Sequence, residues 1–410
     1  MMDQDNLASS LYVDQVDPEE LAQVVLETLG SAKYESVDEV IYYRPGHPPA
    51  LYFVFKGNEL RTVKAGPGLS ADDIPSIQTK IRTDLLDLGR KIVGRMIIFS
   101  AYPVTGHLRI GDFLQICPVP SHAPRPKDSG EGDHPFLIEF EVYDSPNLSI
   151  RIDRIYSQAQ KLSLFLSAIA EGKVTFPSTS SHFRWVIRND PKPQYEHMLE
   201  GYGYAEFQRH QKFFTECDAM PSIERVDDRK YFGQTSYEPG RPLQLPNSFD
   251  QLFNIFLQLR TPLQDKFSRA AYWYSLAQSQ ESSSASFLHL IQSIETLVPP
   301  AEVRQECTAC KKELEGPTQR FKDFIDELVP AHSELNRARS QLYKLRSDLS
   351  HGRDICGRDL GRNNVPRSAE QMKQVFEAYQ LARLALVNWL ITQGARTNGS
   401  VQPSTIIPLA

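Results

Sequence analysis

Residues 342–352 read Leu342-Tyr343-Lys344-Leu345-Arg346-Ser347-Asp348-Leu349-Ser350-His351-Gly352. Leu342, Leu345 and Leu349 recur at three- and four-residue spacing, which places them on one stripe of a helix with polar residues between. Gly352 reads as the stop, because a residue without Cβ adopts the left-handed turn that ends many helices. Ala338 and Leu335 extend the stripe backwards and predict a helix over 333–351. The same period recurs on both sides. Phe321, Phe324, Ile325 and Leu328 predict a helix over 318–329. Phe287, Leu290, Ile291, Ile294 and Leu297 predict one over 283–298, closed by Pro299-Pro300. Met372, Val375, Phe376, Tyr379, Ala382 and Leu386 predict one over 368–393. Residues 249–280 carry Phe253, Phe256, Phe267, Ala270 and Tyr274, and Pro262 kinks or divides them. Consecutive amphipathic helices with short joins argue a helical bundle over 249–395, followed by a polar tail at 396–410.

Upstream the period changes. Asp17-Pro18-Glu19-Glu20 starts a helix that runs to about Leu29, before Gly30. Val40–Tyr43, Leu51–Phe55, Arg95–Phe99, Phe113–Ile116 and Phe136–Val142 are rich in β-branched and aromatic residues and read as strands. Lys56-Gly57-Asn58-Glu59 reads as a hairpin turn, and residues 152–170 as an amphipathic helix. Residues 186–248 are rich in proline, yet Tyr202, Tyr204, Phe207, Phe213 and Phe214 make them a connecting region that packs on something. The expected fold class is therefore α+β: an N-terminal mixed α/β region over 1–185, a connection over 186–248, and an all-α bundle.

The 45 basic and 51 acidic side chains give a net charge of −6, so no chain-wide basic field points to nucleic acid. No stretch approaches the roughly 18 apolar residues of a membrane span. The acidic start Met1-Met2-Asp3-Gln4-Asp5 is unlike a secretory signal, and five cysteines argue against a disulfide scaffold. The expectation is a cytoplasmic protein with no membrane partner. Charge is nevertheless local. Residues 335–367 hold Arg337, Arg339, Lys344, Arg346, Arg353, Arg358, Arg362 and Arg367 against only Asp348, Asp354 and Asp359. Such an excess can pair with phosphates, or can be an ordinary solvated face. Arg346 and His351 stand in that segment as an Arg-x4-His pair; Arg, His and Gly are also what a plain helix end favours.

Tyr343-Lys344-Leu345-Arg346-Ser347-Asp348-Leu349-Ser350-His351-Gly352 resembles the Tyr-x-x-Arg-Ser-x-x-x-His-Gly run of the Apea-like HEPN family. Phe267-Ser268-Arg269-Ala270-Ala271 and Gln292-Ser293-Ile294-Glu295-Thr296-Leu297, followed by Cys307-Thr308-Ala309-Cys310, look similar too, so the resemblance covers about 250–395. It implies a HEPN-type bundle that works as a homodimer, a metal-independent endoribonuclease in which each copy gives one Arg-His motif to a shared cleft. Arg346 would offer a permanently charged fork to phosphate oxygens, and His351 would exchange a proton near neutral pH. At a helix C-terminus the charged form of His351 is favoured, which suits a general acid for the leaving 5′-oxygen. The two side chains point about 140° apart on an ideal helix, so they converge only if the last turn unwinds or a second copy faces the first. Ser347 departs from the Asn, Asp or His that often follows the Arg, and supplies a hydrogen bond but no charge; Asp348 and Tyr343 are supporting residues. Glu295 either faces the Arg-His cleft and holds Arg346 or is a helix-end acid pairing with any nearby base. Arg339, Lys344, Arg353 and Arg358 are the expected RNA contacts. In this family the arrangement looks like an effector of prokaryotic anti-phage defence, with an unknown trigger read by the N-terminal region. The alternative is a non-catalytic HEPN module for RNA binding or dimerisation.

Cys307 and Cys310 form one Cys-x-x-Cys knuckle. Tetrahedral zinc needs four ligands, so the knuckle is either half of a structural zinc site, completed by Cys356 as a third ligand and His332 as a distant fourth or by the same pair from a second copy, or a pair of free or redox-active thiols. No cofactor is expected in catalysis.

Overall fold

The computed structural model describes residues 4–57, 59–87, 89–119, 125–126, 134–176, 185–186, 210–233, 238, 240–300, 317–329, 333–362 and 365–398. The fold is mixed α+β, with sheets in the N-terminal part and helices in the C-terminal part. It opens with α1 (Gln4–Ser10) and α2 (Pro18–Leu29). Asp17 caps α2 by accepting from the Glu19 and Glu20 amides, and Gly30 ends it in the left-handed region, as the sequence predicts. Strands β1 (Ser31–Ser36), β2 (Glu39–Tyr43), β3 (Pro49–Lys56) and β4 (Glu59–Ala65) form an antiparallel meander in that order. Helix α3 (Asp73–Lys80) runs into a π-helical turn over Ile81–Leu86. Neither α1 nor α3 was expected; α3 carries Pro75 in its first turn, which hides it from a propensity reading.

A second sheet has the order β10-β5-β9-β7-β6, from β5 (Lys91–Ser100), β6 (Leu108–Ile110), β7 (Leu114–Pro118), β9 (His134–Tyr143) and β10 (Val174–Thr175). The short strand β8 (Arg125–Pro126) pairs with β11 (Trp185–Val186), and β12 (His210–Gln211) pairs with β5. Helix α4 (Leu148–Ile169) follows β9. Within the connecting region, β13 (Arg225–Val226) pairs in parallel with β14 (Leu245–Pro246), and α5 (Asp228–Gly233) lies between them. The helices α6 (Phe249–Gln258), α7 (Thr261–Gln278), α8 (Ser283–Leu297), α9 (Pro317–Leu328), α10 (Ser333–Ser350) and α11 (Pro366–Asn398) complete the chain. Pro262 sits in the first turn of α7 and divides the predicted segment there. No helix among the described residues is long and apolar enough to cross a membrane.

The chain divides into two compact units, one of residues 1–94, 141–158 and 209–213, the other of 95–140, 159–208 and 214–410. The first is organised around Val24, Val25 and Leu29 of α2, Leu51 and Phe53 of β3, and Ile77, Ile81 and Leu85. The second contains both the helices and most of the second sheet, so the boundary expected near residue 248 falls inside it. The reason is aromatic packing. Phe165 of α4 lies 5.6, 5.4, 5.1 and 6.5 Å from the rings of Phe249, Phe253, Phe256 and Phe267, so α4 is one wall of the helical core. The connecting region is tied to the sheet by a buried carboxylate. Glu139 accepts from Arg95 Nε at 2.9 Å, Gln115 Nε2 at 3.0 Å and the Thr215 amide at 2.8 Å, which makes its burial tolerable.

Within the helical part, α8 packs on α7 and α11. Ser293 is fully buried and donates its hydroxyl to the Ala270 carbonyl at 2.7 Å. Small residues at 270, 271 and 293 let the two backbones approach. Ser286 of α8 meets Tyr379 of α11 at 3.0 Å.

Candidate functional site

The end of α10 is built as its sequence implies. Leu342, Leu345 and Leu349 are buried, and Lys344 is exposed. The helix stops in a Schellman turn. Gly352 takes φ +66°, its amide donates to the Leu349 carbonyl at 3.1 Å, and the Arg353 amide donates to the Asp348 carbonyl at 2.8 Å. A glycine is required there because a Cβ in the left-handed region costs about 1 kcal/mol. His351 is thereby the C-cap residue. It is exposed, and its ring makes no hydrogen bond among the described residues.

Arg346 is turned toward α8. Its Nη2 donates to Glu295 Oε2 at 3.2 Å, with the two side chains 32% and 30% exposed. The guanidinium carbon lies 5.7 Å from the ring centroid of Tyr343, one turn earlier, and that ring packs on Phe321 at 5.2 Å. The guanidinium is thus oriented from two sides, while its other N–H groups make no hydrogen bond among the described residues. Ser347 and Asp348 are half-buried and serve the turn through their carbonyls.

Immediately after Gly352 lies a groove of about 530 Å³, open to solvent, between the end of α10 and the start of α11. A 3-10 turn over Gly357–Leu360 forms part of its wall. That turn is held by Asp359, which accepts from the Ser283 amide at 2.7 Å, the Ser284 amide at 2.9 Å and the Ser282 hydroxyl at 2.9 Å. Ser282 in turn caps the Ala285 amide at 3.2 Å, so the first three amides of α8 all have partners. Burial pushes the Asp359 carboxyl up, but hydrogen bonds from Ser284, Ser283 and Ser282 outweigh it and leave its pKa below the usual carboxylate value. Arg367 pairs with Asp354 at 2.7 Å. Burial likewise raises Asp354, and the Arg367, Ile355 and Gln371 hydrogen bonds bring it below its ordinary value.

The structure brings Arg346, Glu295 and Tyr343 together and leaves His351 exposed at the end of the same helix. Lys344, Arg353 and Arg358 are on the surface. Arg339, expected to contact RNA, is instead only 5% exposed: its guanidinium pairs with Asp326 and donates to the Val329 carbonyl, so it is not available to RNA. Its role is to join α9 to α10. Cys307, Cys310 and His332 lie outside the described residues. Cys356 is buried, with its amide held by Ser284 Oγ at 2.8 Å, and burial pushes its thiol up. Among the described residues no group of three or more His, Cys, Asp or Glu side chains is placed to hold a metal ion. Asp359 and Ser368 were not anticipated. Asp359 acts on residues some 75 positions away, and no local pattern announces that.

Compared with protein-family models, curated proteins and solved structures, the chain matches none.

Proposed function

We propose that the helical part is a HEPN-type endoribonuclease, working as a homodimer and without a catalytic metal. The observation that carries the reading is Arg346: a guanidinium half-open to solvent, aimed by Glu295 and Tyr343, whose other N–H groups have no hydrogen-bond partner among the described residues and can meet an anion. Its planar fork matches two oxygens of a phosphodiester. In the proposed step the 2′-oxygen of RNA attacks the adjacent phosphorus and the P–O5′ bond breaks. Arg346 stabilises the charge that builds on the phosphorane oxygens. His351 donates a proton to the leaving 5′-oxygen, and the imidazole of a second copy takes the 2′-hydroxyl proton. The ring of His351 is exposed, as a proton carrier must be. The Arg346–Glu295 pair keeps the cation in place between turnovers.

Arg346→Ala and His351→Ala, made separately in the full chain, should each abolish cleavage of single-stranded RNA in the presence of a metal chelator. His351→Ala should retain RNA binding. A 2′-deoxy nucleotide at the cut site should block the reaction. If no form of the protein cleaves and all bind RNA equally, the nuclease reading fails and a non-catalytic RNA-binding module replaces it. A strictly monomeric protein with RNA present would also overturn it.

A further inference from the structure

The groove beside His351 carries features that the proposed reaction does not use. Its walls hold Arg353, Arg362 and Arg367, against one carboxylate, Asp354. Arg367 is already paired with Asp354, whereas Arg353 and Arg362 are exposed and make no ion pair among the described residues. The start of α11, through Arg367, Ser368 and, in the second turn, Gln371, lines the same groove. The 33-residue helix therefore presents its positive end there.

A separate observation points to a ligand. Ser368 is 3% exposed, lines the groove, and its hydroxyl has no hydrogen-bond partner among the described residues. A buried hydroxyl without a partner is disfavoured in a folded chain unless something else occupies its lone pairs and proton. The residue opposite is Gly357, where a Cβ would collide with Ser368 Oγ. Only glycine leaves room for the Ser368 hydroxyl there. The walls are fixed rather than loose. Gln371 accepts from the Gly357 amide at 2.9 Å and donates to Asp354 at 3.2 Å, while Asp359 anchors the 3-10 turn on α8.

We infer that this groove is a phosphate-binding site, in which Arg353, Arg362, the Ser368 hydroxyl and the Arg367 amide at the start of α11 receive one phosphoryl group. Two guanidinium groups, a hydroxyl donor and a helix N-terminus suit a tetrahedral anion with several acceptor oxygens better than they suit any cation or apolar group. The group can come from an RNA backbone or from a free phosphate or mononucleotide. The RNA source rests on the proposed function, since the groove starts one residue after His351 and would hold a neighbouring phosphate of the same strand.

The full chain is titrated with three probes: inorganic phosphate, AMP and a short 2′-O-methyl oligoribonucleotide, which cannot be cut by 2′-hydroxyl attack. For the oligonucleotide, the slope of log affinity against log salt should fall by about 0.7, the share of the one phosphate held here, in the Arg353→Ala/Arg362→Ala double variant, and by less in Arg362→Ala. Arg396→Ala, the same charge change at the far end of α11, should leave the slope as it is. Ser368→Ala should weaken binding several-fold while its thermal midpoint holds or rises, because an unpartnered hydroxyl is removed. Inorganic phosphate or AMP that binds wild type, and not the double variant, also supports the site and names a free phosphate as its ligand. Unchanged binding of all three probes by the double variant overturns the inference, as does an equal fall in slope for Arg396→Ala. The two readings fail separately. A protein that never cuts RNA but shows the slope change keeps this site, and His351-dependent cleavage with an unchanged slope removes this site alone.

Discussion

Replacing Asp359 by alanine should loosen the start of α8 and with it the wall of the groove. Asp359 receives two backbone amides and one hydroxyl at 2.7–2.9 Å. Ser283 is 6% exposed, so water does not readily replace the lost acceptor for its amide, whereas Ser284 is half-buried and its amide is more easily rehydrated. A hydrogen bond to a charged group contributes about 1.5–3 kcal/mol, and water recovers part of that at Ser284. The loss should therefore be about 2–4 kcal/mol for opening of the first turn. At 1.4 kcal/mol per factor of ten, amides in 286–290 should exchange with deuterium roughly 30- to 700-fold faster than in wild type. Asp359→Asn keeps one acceptor and should lose about half as much. The effect has a pH signature. Because the folded carboxyl titrates below its unfolded value, the stability it contributes is full above the unfolded pKa of roughly 3.9 and disappears as pH falls through the folded value. Wild type and Asp359→Asn should thus differ at pH 7 and converge below about pH 4. Exchange rates in Asp359→Ala within about threefold of wild type would refute the reasoning, since the donors would then have found other partners at no cost.

Two further outcomes follow from packing. Arg339→Ala should destabilise the α9–α10 pair by about 2–4 kcal/mol, read by urea denaturation, because the buried Val329 carbonyl loses its donor and Asp326 its cation. RNA affinity of the folded variant, read by fluorescence anisotropy, should stay at the wild-type value; a loss of affinity without a loss of stability would restore Arg339 as an RNA contact. Gly394→Ala should lower the thermal midpoint, at a cost of about 1–3 kcal/mol, because a Cβ there would meet Ile255 Cγ1, Cδ1 and Cγ2 at 2.8–2.9 Å. Adding Ile255→Ala should recover part of that loss, and a Gly394→Ala protein more stable than wild type would contradict the packing of α6 against α11.

Periodicity alone located α6 to α11, because each must bury one stripe, and the spacing of Leu342, Leu345 and Leu349 says which face turns inward. The stop at His351-Gly352 was equally legible, since the left-handed turn is a local property of glycine. The same local logic found Asp17 and Gly30 at the ends of α2. Nothing local could separate Arg339 from Arg346. Both lie on α10 with an apolar residue before and a serine after, yet one is enclosed with Asp326 and the Val329 carbonyl and the other stands half-open beside Glu295. Which guanidinium is buried depends on where α9 and α8 cross α10, a matter of long-range packing rather than of residue type.

The sequence by itself determined the element types, the turn that makes His351 a cap residue, and the concentration of positive charge around it. The tertiary structure decided which of those charges are available, that α4 shares a core with the later helices, and that Asp359 caps a helix some 75 residues away. Helix period and turn conformation arise from interactions between near neighbours in the chain. Burial, capping from a distance and the pairing of charges arise only once segments far apart in sequence have been brought into contact.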